Sequence, residues 1–198
     1  MASPSDMKLR LSGGATNSDP LLSIGGAMSS TPVGLNLFDN VSTGEAATGD
    51  TEYRCVYLLN QSDDLLVNRL YFSLNTPSPD TVIELGLGTS GVDGTEDTVA
   101  TTADAPVGVT FVEANGLDNA LTIDLLPAGN KHAIWMKRVV TAGATPTPLD
   151  NFKLRWSAHV AGGAPGSEDE VVNMFFASHL GNTYFGGSFG GVGGGFGA

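Results

Sequence analysis

The segment from residue 152 to residue 160 alternates apolar and polar side chains with a period of two. Its apolar members are Phe152, Leu154, Trp156, Ala158 and Val160, and its polar members are Lys153, Arg155, Ser157 and His159. Successive side chains of a β-strand point to opposite faces, so only a strand places all five apolar side chains on one face. We therefore expect the chain to fold around a β-sheet that has a buried face.

Similar strand patterns precede this segment and are separated by turn residues. They predict strands over the ranges 53–59, 70–75, 81–87, 107–112, 120–125 and 131–141. The cluster Gln61-Ser62-Asp63-Asp64 lies between the first two of these strands, so we expect those two strands to form a hairpin. An acidic turn followed by roughly helical apolar spacing predicts one short helix around residues 168–180.

The composition supports an all-β fold. Only 15% of the 198 residues are charged, while 27 are Gly and 10 are Pro, which favours short strands and many loops over surface helices. Consecutive strands without helical crossovers are typical of antiparallel sandwiches and jelly rolls. We predict an antiparallel β-sandwich or jelly-roll-like domain at residues 51–160.

The two ends of the chain differ from this predicted domain. Residues 1–50 are interrupted by Gly, Asn and Pro, and predict an extended N-terminal segment that covers a sheet edge or reaches a neighbouring subunit. Residues 161–198 form a C-terminal arm whose last part is rich in Gly and carries four aromatic residues: Tyr184, Phe185, Phe189 and Phe196. Two interpretations stay open, a disordered tail or an arm whose aromatic side chains bind a neighbouring subunit on assembly.

The charge balance excludes several classes of partner. The chain has 9 Lys and Arg against 21 Asp and Glu, and its formal net charge is −12. Binding to nucleic-acid phosphates needs clustered cations, so direct nucleic-acid binding is not expected. The acidity also opposes binding to anionic membranes, and no apolar stretch approaches the roughly 18 residues of a membrane span. The N-terminus lacks the pattern of a secretory signal, so we expect folding in a cytoplasm.

The residue types most often used in catalysis and metal binding are sparse and scattered. Cys55 is the single cysteine and lies in an apolar run, so we interpret it as a small buried hydrophobic residue. His132, His159 and His179 lack metal-ligand spacing and are interpreted as surface or structural histidines. The run Gly86-Leu87-Gly88 follows a predicted strand, but the third glycine and the helix of a dinucleotide fingerprint are missing. No catalytic residue, cofactor or metal ligand is predicted.

Acidic clusters are the remaining candidates for a site. The loop at residues 88–106 contains Asp93, Glu96, Asp97 and Asp104, whose oxygens could bind Ca²⁺, although a solvated acidic loop is the favoured interpretation. Paired acids such as Asp63-Asp64 and Glu168-Asp169-Glu170 are expected by chance in so acidic a chain. A glycosidase would combine such acids with an aromatic-rich cleft, and aromatic residues make up only 8% here. We do not expect an enzyme.

The run Lys8-Leu9-Arg10-Leu11-Ser12-Gly13-Gly14, continued by Leu37-Phe38-Asp39-Asn40-Val41, carries a resemblance to small virion proteins of tailed bacteriophages. The other segments that carry it are residues 15–20, 22–30, 44–46, 49–55, 86–89 and 94–96. It covers residues 8–160, is most specific in the first fifty, and does not include the Gly-rich end. It transfers no active site.

The resemblance implies a structural component of an assembled virion. On this basis the expected role is a capsid cement or decoration protein, and the expected partners are the major capsid protein or other virion subunits. Virion components form symmetric assemblies, so a homo-oligomer is also expected. The alternative is a neck, tail or tail-fibre component, including an adhesin-like module that binds host glycan.

Overall fold

Strands account for nearly all regular structure in the computed structural model, which describes residues 6–34, 36–76, 80–145, 151–161 and 174–177. In chain order the strands are β1 (Met7–Leu11), β2 (Asp50–Asn60), β3 (Leu66–Thr76), β4 (Thr81–Leu87), β5 (Phe111–Val112), β6 (Leu121–Leu126), β7 (Lys131–Val140), β8 (Asn151–Val160) and β9 (Met174–Ala177). One short helix, α1 (Thr43–Thr48), precedes β2, and two single-turn 3-10 helices span Pro20–Leu22 and Leu117–Asn119.

These strands form two antiparallel sheets. The first has the order β1-β2-β7-β4-β5, and the second has the order β6-β3-β8-β9. In the first sheet Cys55 of β2 is opposite Trp135 of β7, and in the second Leu70 of β3 is opposite Trp156 of β8. The predicted all-β sandwich is thus confirmed.

The main core lies between the two sheets. The apolar face of β8 contributes Leu154 and Trp156, and Ala158 packs against the same core. The N-terminal residues share this core rather than forming one of their own. Leu9 of β1 and Phe38 of the following loop are both buried in it, and β1 pairs with β2 at the edge of the first sheet. Residues 6–34 and 36–50 are therefore part of the folded unit.

The predicted hairpin between residues 53–59 and 70–75 is wrong. β2 pairs with β1 and β7, whereas β3 pairs with β6 and β8 in the opposite sheet. The intervening turn residues form a corner between sheets, which the side chain of Asn60 stabilises. Its Nδ2 donates to the carbonyls of Asp64 and Leu126 at 2.9 Å, and its Oδ1 accepts from the backbone N–H of Ser62 at 2.9 Å. A turn signature alone does not distinguish such a corner from a hairpin.

The helix predicted around residues 168–180 is also wrong where the structure describes that range. Met174–Ala177 is strand β9, which pairs with β8 from Leu154↔Met174 to Asn151↔Ala177. A short, weakly amphipathic helix is only marginally stable, whereas pairing with the edge of β8 gives this segment backbone hydrogen-bond partners. The rest of the predicted helix lies outside the described residues.

Two smaller differences concern the loops. Within the predicted strand 107–112, only Phe111–Val112 forms a strand, and it pairs with Leu85 and Gly86 of β4. Helix α1 was not predicted, although its N-terminus has a capping box formed by Ser42 and Glu45. In the part of the chain that is described, no helix is long and apolar enough to cross a membrane.

Candidate functional site

A third layer covers the outer face of the first sheet, and we call it the loop layer (residues 12–30 and 88–110). It exists because β2 is apolar on both faces. Val56 faces the main core, while Tyr53, Cys55 and Tyr57 form a second cluster with Trp135 of β7. Met28, Val99 and Val109 of the loop layer pack against this second cluster. The outer face of the sheet is thereby buried without a third sheet.

The first segment of the loop layer is attached through buried serines. Ser23 Oγ donates to the carbonyl of Cys55 at 2.6 Å, and the backbone N–H of Cys55 donates to the carbonyl of Ser23 at 2.6 Å. The Ser23 hydroxyl also accepts from the N–H of Ser12 at 2.8 Å. These bonds extend the pairing of β2 beyond the end of β1 and hold residues 12–25 against the sheet.

The two segments of the loop layer are also bonded to each other. The N–H of Gly26 donates to the carbonyl of Glu96 at 2.9 Å, and the N–H of Val99 donates to the carbonyl of Ile24 at 3.0 Å. Gly25, at φ +104, lies so close to the backbone of Asp97 that a β-carbon would overlap it. The two segments therefore pack as one layer.

The Glu96 carboxylate is the centre of this layer, and Glu96 is only 3% exposed. Oε1 accepts from the N–H of Thr89 at 2.9 Å, from its hydroxyl at 3.2 Å and from Nε1 of Trp135 at 3.2 Å. Oε2 accepts from the N–H of Ser90 at 3.1 Å. Burial alone would raise the pKa of Glu96, but the hydrogen bonds from Ser90, Thr89 and Trp135 outweigh it and hold the pKa below its ordinary value.

Tyr57 connects the same centre to the sheet. Its hydroxyl donates to the carbonyl of Gly26 at 2.7 Å and accepts from the N–H of Glu96 at 2.9 Å. Burial raises the pKa of Tyr57 to about 12. Since this phenol is neutral at ordinary pH and both its donor and acceptor roles are filled, it acts as a structural bridge.

A groove of about 340 Å³ opens on the solvent side of this centre. It is lined by Thr89, Glu96, Asp97, Thr98, Val99, Pro106 and Val107. Val107 lies in the turn beside the groove and is 92% exposed. The groove thus combines an apolar wall with an exposed carboxylate at Asp97.

A second polar cluster lies at the other end of β2, on the side of the main core. Arg54 and Arg138 are both buried and both bind Glu52, with Arg54 Nη2 at 3.2 Å from Glu52 Oε1. Arg138 also binds Asp39, and both guanidinium groups lie over the ring of Phe38 at 5.3 and 5.0 Å. Burial raises the pKa of Glu52, and the two guanidinium groups offset part of that rise.

This cluster anchors the N-terminal segment. Arg54 Nε donates to the carbonyl of Leu37 at 3.2 Å, and Arg138 Nη1 donates to the carbonyl of Asp39 at 2.6 Å. Residues 37–39 are therefore fixed on the sheet by two buried cations. Arg54 was the signal for this cluster in the sequence. It is a charged residue within an apolar strand, and such a residue needs a buried partner.

The acids of the predicted acidic loop do not converge on a common point. Asp93 pairs with Lys131 Nζ at 2.9 Å, and Asp104 accepts from the N–H and hydroxyl of Thr101 at 2.7 Å. Glu96 points inward, whereas Asp97 is exposed. The described residues include no group of three or more His, Cys, Asp or Glu side chains placed to share a metal ion, so they do not support the Ca²⁺ hypothesis.

Other residues singled out in the sequence have structural positions. Cys55 is fully buried and burial raises the pKa of its thiol, which confirms its interpretation as a buried hydrophobic residue. His132 is buried, and its Nδ1 lies 2.9 Å from the carbonyl of Ala133. Gly86 and Gly88 lie under the loop layer, where a β-carbon would overlap Val109 and Glu96, respectively. The close packing at these two positions leaves no room for a side chain.

Several predicted residues lie outside the part of the chain that the structure describes. They are the aromatic residues of the arm, Tyr184, Phe185, Phe189 and Phe196, together with His179 and the acids Glu168, Asp169 and Glu170. The role of the arm in binding a neighbouring subunit therefore stays a prediction. Asp63, from the other acid pair, is exposed in the corner between the sheets.

No protein-family model matches the chain, and no curated protein matches it. Among solved structures, the ASH/PapD-like domain 7 of human CEP192 has a TM-score of 0.36 and 9% identity, covering 90% of this chain and 89% of that one. The N-terminal domain of PorA has a TM-score of 0.31 and 11% identity, covering 89% and 99%.

A third similar structure is CfaE, the adhesive subunit of the CFA/I fimbria of enterotoxigenic Escherichia coli. Its TM-score is 0.33 at 9% identity, covering 71% of this chain and 45% of that one. At these scores the similarities carry no functional argument.

Proposed function

We propose that this chain is a non-enzymatic structural subunit of a tailed-phage virion. Its specific role in this proposal is that of a capsid cement or decoration protein, which stabilises the shell through contacts with neighbouring subunits. The resemblance of residues 8–160 to small virion proteins supports this assignment. The proposed partners are the major capsid protein or other virion subunits, together with further copies of the chain.

The observation that carries the proposal is that the buried polar side chains bind loops of their own chain. Both carboxylate oxygens of Glu96 are occupied by donors from its own chain, and the guanidinium groups of Arg54 and Arg138 hold the N-terminal segment. Groups engaged in this way hold loops in a defined position on the sheet. Such an arrangement supports a rigid scaffold that presents surfaces to other proteins.

The location of the chain in purified particles tests the proposal. Heads and tails of the phage that encodes it would be separated, and the chain quantified in each by mass spectrometry. The expected result is a high copy number in heads, comparable to the number of capsid sites. A low copy number confined to tails would identify a neck, tail or fibre component instead, and absence from both fractions would contradict a virion role.

A further inference from the structure

The loop layer carries negative charge with no cation of its own. Its two segments contain no Lys, Arg or His and have five acidic residues: Asp19, Asp93, Glu96, Asp97 and Asp104. All of them except Glu96 are exposed. Two cations from the first sheet reach the layer: Lys131 of β7 pairs with Asp93, and Arg10 of β1 donates to the carbonyl of Ser30. The five acidic residues still outnumber these two cations, so the net charge of this face is negative, which favours cationic partners.

The same face exposes apolar side chains beside those carboxylates. Val107 is the most exposed of the large apolar residues that the structure describes, at 92%. Gly108 follows it at φ +78 and lies near Thr89, so the turn projects Val107 at the rim of the groove. An exposed apolar side chain that adjoins a groove is typical of a surface used in protein contacts.

We propose that the groove beside Val107 is a docking site for a Lys- or Arg-rich segment of a protein partner. Lys and Arg side chains combine an apolar stem with a charged head. The stem fits against the apolar wall formed by Val99, Pro106 and Val107, and the head reaches the carboxylate of Asp97 at the rim. The inference rests on the proposed function and names the surface and the chemistry of the partner.

Charge selects this occupant over the other candidates. A second copy docked through the same face would place acidic groups opposite acidic groups, which is repulsive. Nucleic acids and anionic membranes are repelled for the same reason. No Phe, Trp or Tyr is among the residues that line the groove, so the groove offers no aromatic ring on which a sugar could stack.

Titration of the full chain with synthetic peptides tests the proposal. Three peptides of equal length would be used, made of Lys and Leu, of Lys and Ser, and of Glu and Leu. Binding would be followed by NMR on the isotopically labelled protein. We expect the Lys–Leu peptide to bind most tightly and to shift the resonances of Thr98, Val99 and Val107.

Variants locate the surface that binds. Val107→Ser and the double variant Asp97→Asn/Asp104→Asn should each weaken binding of the Lys–Leu peptide by roughly tenfold. The matched control is Leu125→Ser, because Leu125 is a 53% exposed apolar residue on β6 of the other sheet. The control should bind as the wild type does.

Three results would overturn the inference. The first is equal binding of the Lys–Ser and Lys–Leu peptides with no effect of Val107→Ser, which would indicate diffuse charge attraction. The second is binding of the Glu–Leu peptide, or resonance shifts confined to other surfaces. The third is self-association in sedimentation experiments that Val107→Ser abolishes, because this would identify a second copy as the occupant.

The peptide experiment contains no phage particle. Its outcome can therefore refute the docking site without refuting the proposed function, and the reverse also holds. A chain that is abundant in heads but does not bind the Lys–Leu peptide would retain the virion role and lose this docking site. A chain that binds the peptide at Val107 but is absent from particles would retain the docking site and lose the virion role.

Discussion

The indole Nε1 of Trp135 donates a hydrogen bond of 3.2 Å to Oε1 of Glu96. Trp135 lies in β7, in the interior of the first sheet, whereas Glu96 belongs to the loop layer. Both residues are buried, and the same carboxylate organises the loop at Thr89 and Ser90. The loop layer is therefore attached to the interior of the sheet through a buried hydrogen-bond network.

The first prediction concerns Glu96→Gln. The amide would place a donor where the carboxylate accepts from Ser90 or from Thr89 and Trp135, so at least one of these N–H groups loses its acceptor. We expect a loss of roughly 2 kcal/mol in the free energy of unfolding, measured by urea denaturation. The control Asp97→Asn removes an exposed neighbouring charge and should change stability by less than about 0.5 kcal/mol. Equal effects of the two variants would contradict the role of Glu96.

This first prediction extends to the pH dependence of stability. Because the folded-state pKa of Glu96 lies below the ordinary carboxyl pKa, its ionised form stabilises the fold at pH values above that ordinary pKa. This contribution is lost as the pH falls through the folded-state pKa. The stability difference between wild type and Glu96→Gln should therefore shrink as the pH falls through this range. A difference that is constant from neutral to acidic pH would contradict this linkage.

A second prediction tests the close packing of the loop layer on the sheet. In Gly88→Ala the new β-carbon would lie 2.5 Å from Glu96 Oε2 and 2.6 Å from the β-carbon of Ala133. Neither neighbour has room to move, so we expect a destabilisation of about 2 kcal/mol or more in the same urea assay. Gly116→Ala is the control, because a β-carbon there meets no atom within 4 Å. If both variants unfold at the same urea concentration, the layer is looser than described.

A third prediction concerns the buried ion cluster. Glu52→Gln leaves Arg54 and Arg138 buried with only the half-exposed Asp39 as counter-charge. We expect a loss of roughly 3 kcal/mol in the free energy of unfolding and faster amide hydrogen exchange at residues 37–39. Asp39→Asn, the comparison variant, should have a smaller effect on stability because its carboxylate is partly solvated. A larger effect of Asp39→Asn would show that Asp39, and not Glu52, is the main counter-charge of the two arginines.

A fourth prediction concerns Asn68, which is fully buried in the second sheet. Neither its Nδ2 nor its Oδ1 has a hydrogen-bond partner among the described residues. Burying an unpaired amide is unfavourable, so Asn68→Leu should raise the free energy of unfolding by roughly 1–2 kcal/mol. Asn60→Leu provides the contrast and should destabilise, since the Asn60 amide bonds to Asp64 and Leu126. A loss of stability in Asn68→Leu would show that its amide makes stabilising bonds.

A fifth prediction follows from the aromatic residues of the C-terminal arm. Deleting residues 182–198 removes Tyr184, Phe185, Phe189 and Phe196. If these side chains bind a neighbouring subunit, the deletion should weaken assembly and leave the thermal melting of the domain nearly unchanged. Assembly would be measured by binding of the purified variant to particles. Unaltered assembly would favour the interpretation as a disordered tail.

Local patterns were sufficient to predict most of the strands, but not β9 and not how the strands pair. The alternation in residues 152–160 predicted β8, because one-face burial imposes a period of two. The pairing of β2 with β7 depends on contacts between residues far apart in sequence, such as Cys55 and Trp135. The turn at residues 61–64 has the same composition whether it closes a hairpin or joins two sheets.

The loop layer was the least predictable feature of the candidate site. Tyr53, Cys55 and Tyr57 indicated a buried face, yet nothing local indicated that loops rather than a second sheet would cover it. Glu96 was noticed only as a member of an acidic loop. Its role depends on Trp135, which is 39 residues away in sequence. Long-range hydrogen bonds of this kind leave no local pattern.

The most direct test of a structural role is reconstitution of particles assembled without this chain. Purified protein would be added to such particles, and the surviving intact fraction would be measured after heating. The proposed function predicts that wild-type protein binds and restores resistance to heat, and that Leu125→Ser does so equally well. Particles that bind none of the added protein, or that are fully heat-resistant without it, would contradict the proposal.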